Sequence, residues 1–218
     1  MKQTLTILGS TGSIGVNTLD VVARHPDLFS VFALTAAVQV DTMLAQCQRF
    51  LPRYAVMSSA PHAAQLREKV RELGLPIEVL SGPAALDQVA SASEVTTVMA
   101  AIVGAAGLSS CLSAARSGKR LLLANKEALV VGAEVFLTAV REGGATLLPI
   151  DSEHSAIFQS LPEDASTWNA RVEKIILTSS GGPFRQRPVH ELSSVTPTKP
   201  VPTPIGKWGE KYRSTRPP

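Results

Sequence analysis

The sequence predicts an α/β protein built on a mostly parallel sheet, with helices packed against it. Three observations carry this reading. Short apolar runs alternate with longer amphipathic ones; glycines stand where the helical runs stop; and a Gly-rich stretch follows the first apolar run directly. Hydrophobic residues make up 44% of the 218 positions and charged residues 18%, which is enough apolar surface for a core and excludes disorder throughout.

Taken in order, Thr4–Leu8 reads as a buried strand, and GSTGSIG opens a helix that runs to about Arg24. Val31–Ala36 predicts the second strand and Asp41–Phe50 the next helix. Tyr54–Met57, Ile77–Leu80 and Thr97–Ile102 are further strand candidates, separated by the helix-like His62–Leu73 and Ala84–Ser91. Leu108–Ser117 is a helix stopped by Gly118, Arg120–Ala124 a strand, Glu127–Glu142 a long helix ended by Gly143-Gly144, and Thr146–Ile150 another strand. The rhythm then breaks. DSEHSAIFQSL is followed by an expected strand over Val172–Thr178 that ends in SSGGPFR, as if a second domain begins near residue 151.

The net charge is +3, from 21 Lys and Arg against 18 Asp and Glu. Residues 198–218 hold five of the basic residues and one acid, so the body before them is nearly neutral and overall basicity says little about partners. The same tail carries five prolines in 21 residues and no apolar period, a composition that predicts disorder. Cys47 and Cys111 sit in apolar helical runs without metal-ligand spacing and are expected to be reduced, buried thiols. MKQTLTILGSTGS reads as no signal peptide, and the longest apolar run, Val98 to Leu108, is too short for a bilayer. A cytoplasmic protein with neither membrane nor nucleic-acid partner is the expectation.

Five segments bear on chemistry. Gly9-Ser10-Thr11-Gly12-Ser13-Ile14-Gly15 lies at the first strand–helix junction, where a backbone free of side chains can approach a pyrophosphate and helix N–H groups can meet its charge. A glycine turn without a ligand is the alternative. The second strand ends Ala36-Ala37-Val38-Gln39 with no acid before Asp41, which disfavours NAD, although no Lys or Arg adjoins to favour a 2′-phosphate. Asn125-Lys126-Glu127 follows a strand, so Lys126 either meets a phosphate or substrate oxygen or is a solvated helix start. Asp151-Ser152-Glu153-His154 follows the next strand. Were it extended, residues 151 and 153 would face one point and suit a hard cation; the alternative is an acidic helix start. Ser179-Ser180-Gly181-Gly182 reads as an anion-binding nest or a flexible turn.

Together, TILGSTGSIGVNTLDVVARHPDLF, VMAAIVGAAGL, LLLANKEALVVG, LLPIDSEHSAIFQSL and ILTSSGGPFR resemble the 1-deoxy-D-xylulose 5-phosphate reductoisomerase family over residues 4–197. The resemblance implies a Rossmann-like NADPH-binding domain at 1–150 and the truncated start of an α+β catalytic domain at 151–197. It implies conversion of deoxyxylulose phosphate to methylerythritol phosphate in non-mevalonate isoprenoid synthesis, with NADPH and Mg or Mn. Carried across, Thr11, Gly12, Ser13, Ile14, Gln39, Asn125 and Glu127 would bind cofactor; Lys126, Ser152, Glu153 and Ser180 the sugar phosphate; Asp151 and Glu153 the metal. Lys126 and Glu153 would be catalytic. The intact family enzyme is expected to be a homodimer.

Two departures matter. Where the family has a basic residue after the second strand, Val38 stands here. After Val195-Thr196-Pro197 the family's continuation, read one base out of frame, gives TKPVPTPIGKWGEKYRSTRPP. Residues 198–218 are therefore expected to be a frame-shifted tail on a fragment without turnover, a dinucleotide-binding remnant being the alternative function.

Overall fold

Each strand expected over residues 3–149 enters one sheet. In the computed structural model, which describes residues 2–176 and 187–194, the chain divides into two compact units, Met1–Phe158 and Gln159–Pro218. The first unit carries seven strands: β1 (Gln3–Leu8), β2 (Phe29–Ala36), β3 (Tyr54–Met57), β4 (Glu78–Ser81), β5 (Thr97–Ala100), β6 (Arg120–Leu123) and β7 (Thr146–Pro149). Their order is β4-β3-β2-β1-β5-β6-β7, and every neighbouring pair is parallel. The fold is thus α/β and Rossmann-like, as the alternation predicts.

A parallel strand is covered on both faces, which is why β5 reads as an unbroken apolar run and is buried along its whole length. Helices α1 (Ser13–Arg24), α2 (Val40–Phe50) and α3 (Ala60–Glu72) cover one face, packing Leu19, Met43 and Leu66 around Ile7, Leu34 and Met99. Helices α4 (Pro83–Ser91), α5 (Leu108–Arg116) and α6 (Glu127–Gly143) cover the other, packing Val89, Cys111 and Phe136 around Leu8, Val98 and Leu121. Each such side chain contributes about 1.5–3 kcal/mol. Cys47 and Cys111 are buried free thiols, as expected, and burial pushes both pKa values up to about 12.

The connections run β1 to β4 in one direction and then return through α4 to β5, beside β1. The strand order therefore reverses between β1 and β5, whose ends lie side by side with Leu8 opposite Ala100. Open parallel sheets place their ligands outside the carboxyl ends at this point.

The structure departs from the sequence reading in two places. DSEHSAIFQSL is not extended: Ser152–Ser160 forms α7. Val172–Ile176, the described part of the expected strand over Val172–Thr178, takes no strand conformation, and Ile176 is 73% exposed. A strand needs a paired neighbour, and none of the described residues supplies one there. The described part of the second unit otherwise holds the end of α7, 3₁₀ helices at Ala165–Thr167 and Val189–Ser194, and α8 (Trp168–Arg171), with the Trp168 indole N–H donating to Pro162 O at 2.8 Å. No helix among the described residues is long and apolar enough to cross a membrane.

Candidate functional site

At the end of β1 the chain turns within four residues into α1. Gly9 sits at φ +81°, and a Cβ there would lie 2.9 Å from Ala101 O on the neighbouring strand's exit. Gly15, buried in the first turn of α1, meets the same turn from above: a Cβ on it would run into Gly9 O and Ser10 Cα. These two glycines let turn, helix and β5 close on one another. Gly12 is the helix N-cap, with no side chain capping it and no acidic residue in the first turn. The first N–H groups of α1 are thus offered outward, beside exposed Gly12 and Ser13 and half-buried Thr11 and Ile14. The sequence reading missed what fixes this turn from below. Thr35 of β2 accepts from Gly9 N–H through Oγ1 at 2.9 Å and from Ser10 N–H through its carbonyl at 2.8 Å. Polar residues at otherwise apolar core positions were the available signal.

Beyond β2, Ala37, Val38 and Gln39 are all exposed. Gln39 is the N-cap of α2, and its Oε1 accepts from Thr42 Oγ1 at 3.4 Å. Asp41, the first acid, is held by Lys69 Nζ at 2.9 Å. That end of the site therefore presents an amide and helix N–H groups.

Beyond β6, Asn125 is buried and its side chain is fully engaged. Nδ2 donates to Ile102 O at 2.6 Å and Gly104 O at 3.0 Å, while Oδ1 accepts from Ala128 N–H at 3.0 Å. It fastens the loop after β5 to the start of α6, and Gly107 must be small because a Cβ would lie 2.6 Å from Nδ2. Lys126 is exposed and Glu127 half-buried at the helix start.

Beyond β7, Asp151 precedes α7 and caps it, its Oδ1 accepting from His154 N–H at 3.4 Å. His154 Nδ1 lies 3.0 Å from the same oxygen. Burial pushes the Asp151 carboxyl's pKa up, but the bonds and charge of His154, with the nearby Lys126 ammonium, outweigh it and hold the group below its ordinary range. The acid is therefore anionic at neutral pH. Ser152 and Glu153 stand exposed in the first turn of α7. Because that segment is helical, residues 151 and 153 are not aligned by strand alternation, and the geometric reason for pairing their carboxylates does not hold. Residues 151 and 153 both carry hard oxygen donors, the type a divalent cation takes, and both contacts from His154 fall on Asp151 Oδ1. No group of three or more His, Cys, Asp or Glu suited to a metal occurs among the described residues. Ser180 and the segment Ser179–Gly182 lie outside the described residues.

Neighbouring strands are about 4.8 Å apart, so the ends of β6 and β7 lie about 10–15 Å from the β1 turn, within reach of one extended ligand. A Gly-rich turn with an uncapped helix at the reversal of a parallel sheet defines a dinucleotide-binding α/β protein.

The family model for 1-deoxy-D-xylulose 5-phosphate reductoisomerase matches residues 5–133, and that for the C-terminal domain of the same enzyme matches residues 147–213. The chain belongs to the 1-deoxy-D-xylulose 5-phosphate reductoisomerase family. It is 54% identical over 211 residues to the reductoisomerase of Dechloromonas aromatica, covering 96% of this chain and 53% of that one. To that of Nitrosospira multiformis it is 56% identical over 209 residues, covering 95% and 53%. A DOX-P reductoisomerase crystal structure in complex with NADPH, fosmidomycin and magnesium superposes with a TM-score of 0.79 at 43% identity, over 93% of this chain and 51% of that one. The Zymomonas mobilis enzyme in complex with NADPH gives 0.78 at 42%, over 92% and 51%. The chain spans about half the length of the relatives it matches.

Proposed function

We propose that this chain is the NADPH-binding part of a reductoisomerase that converts 1-deoxy-D-xylulose 5-phosphate to 2-C-methyl-D-erythritol 4-phosphate. The observation that carries the reading is the convergence, at one edge of one sheet, of an uncapped Gly-rich turn with Lys126 and the ionised Asp151. The relatives' complexes with NADPH and magnesium support it.

In this reading Thr11, Gly12, Ser13 and Ile14 receive the cofactor's phosphates on peptide N–H groups. Gln39 faces the adenosine ribose, and Asn125 and Glu127 stand toward the cofactor, Asn125 also fastening the turn there. Lys126 meets a substrate anion. Asp151 and Glu153 hold the cation, with Ser152 and Glu153 also on substrate, and Ser180 belongs to the same set. When bound, the metal polarises neighbouring substrate oxygens for carbon–carbon cleavage and re-formation, and NADPH supplies hydride. The protein's own contribution is orientation. His154 fixes the Asp151 carboxylate, and the Lys126 ammonium favours its charged form.

We further propose that residues 1–150 form the cofactor domain, that 151–197 begin the catalytic domain, and that 218 residues alone bind cofactor without turnover. Asp151 and Glu153 would supply two of the six oxygens a magnesium ion takes, with water and substrate supplying the rest. The frame-shift reading of 198–218 rests on the family's continuation, read one base out of frame, giving these residues, while the family match through residue 213 argues against setting the whole tail apart. Cytoplasmic location and a homodimer of the intact enzyme belong to the same proposal.

The test is a fluorescence titration of the full chain with NADPH, followed by absorbance at the NADPH band on adding deoxyxylulose phosphate and Mn²⁺. Saturable binding without oxidation supports the reading. Oxidation overturns the inactive-fragment part, and absence of binding overturns the site.

A further inference from the structure

We propose that Gln46 is a positioning residue for the cofactor: from α2 it sets the shape in which the Gly-rich turn receives a pyrophosphate. The inference rests on the dinucleotide reading of that turn.

Gln46 lies one turn from Met43 and beside Cys47 on the buried face of α2, where both neighbours are fully buried. Hydrocarbon is the ordinary occupant of such a position, because an amide taken from water is tolerated only if it is bonded at both ends. Here it is. Nε2–H donates to Ser10 O at 2.9 Å, and Oε1 accepts from Ser10 Oγ–H at 2.7 Å. The Ser10 N–H is already committed to Thr35 O at 2.8 Å, and its hydroxyl lies 3.2 Å from the same carbonyl.

Ser10 is therefore bonded into the protein through all of its polar groups, and it is buried. It cannot touch a ligand in this state. What it does is fix the peptide that leads into Thr11, Gly12 and the first N–H groups of α1. Preorganised donors bind an anion without a further ordering cost, so the benefit of the Gln46–Ser10 pair appears in cofactor affinity. The pair also has a direction. Gln46 sits two turns, about 10 Å, along the helix whose N-cap is Gln39. Any displacement of α2 at the ribose end is thus transmitted through one rigid amide to the phosphate end.

The experiment uses the full chain and its Gln46→Met and Ser10→Ala variants, with NADPH titration and amide hydrogen exchange in the free protein. Gln46→Met keeps side-chain length and removes both bonds. The expected result is a Kd for NADPH raised about tenfold, with faster exchange confined to Gly9–Gly15. Ser10→Ala raises Kd less, since its carbonyl still accepts from Gln46, and the double variant shows non-additive losses. A wild-type Kd in Gln46→Met overturns the proposal, as does faster exchange spread over α2 and the core, which marks a purely structural role. If Gln46→Met does not fold, Ser10→Ala decides: unchanged affinity and unchanged exchange in the turn overturn the proposal. Failure of the wild-type chain to bind NADPH is a different result; it overturns the dinucleotide reading, and the role of Gln46 with it.

Discussion

Gly9 and Asp151 solve opposite problems with peptide N–H groups. Gly9 adopts φ +81° so that β1 can turn beneath an uncapped helix, whereas Asp151 closes a helix start with its own carboxylate. Gly9→Ala meets both a left-handed backbone and Ala101 O at 2.9 Å. The expected cost is about 1–3 kcal/mol, read by urea unfolding, together with loss of NADPH binding. Asp151 predicts a pH dependence. Its pKa is lowered in the fold, so its contribution is present above the unfolded value, about 3.9, and is lost as pH falls through the lower folded value. Asp151→Asn keeps an equally good cap and removes the charge. Stability of the two proteins should converge as pH drops below about 4, and the extra acid loss seen in wild type should be missing from the variant. Parallel acid-unfolding curves would show that the carboxylate's charge contributes nothing.

Helix α6 shows why burial, and not composition, defines an element's role. Val130, Val131 and Val135 are 77%, 65% and 61% exposed, while Phe136 is fully buried among Leu121, Cys111 and Ala139. The helix breaks at Ala133, where φ is +31°, so a single apolar stripe does not run its length. Phe136→Ala is expected to cost about 3–5 kcal/mol, and Val130→Lys less than about 0.5 kcal/mol, in chemical denaturation. A large effect at Val130 would mean that the face is covered in solution. The α7 segment teaches the complementary lesson. DSEH satisfies both a strand and a helix start locally, and the bond from His154 N–H to Asp151, with the turn of chain after β7, favours the helix.

For the molecule as a whole, the parallel sheet was legible because strands covered on both faces leave unbroken apolar runs, and glycines mark where helices stop. Element ends came within two residues throughout the first unit; β5, expected to Ile102, ends at Ala100, where the Gly9 turn closes against Ala101. The positions of Thr11–Ile14, Asn125–Glu127 and Asp151 at the carboxyl edge follow from the same alternation, since each directly succeeds a strand. The roles of Thr35, Gln46 and His154 were not legible. Their partners lie across the fold or around a helix turn, and nothing local distinguishes a bonded core amide from a tolerated one. The second unit was read least well, because a strand over Val172–Thr178 depends on a neighbour that no local pattern supplies. The sequence by itself determined which segments fold and what chemistry each strand end carries, because periodicity and residue type are local properties. Tertiary structure alone decided that Asn125 is a fastener, that Lys126 lies near enough to act on Asp151, and that Ser10 is held from α2. Those facts are distances between elements, and distance is fixed only when the sheet has closed.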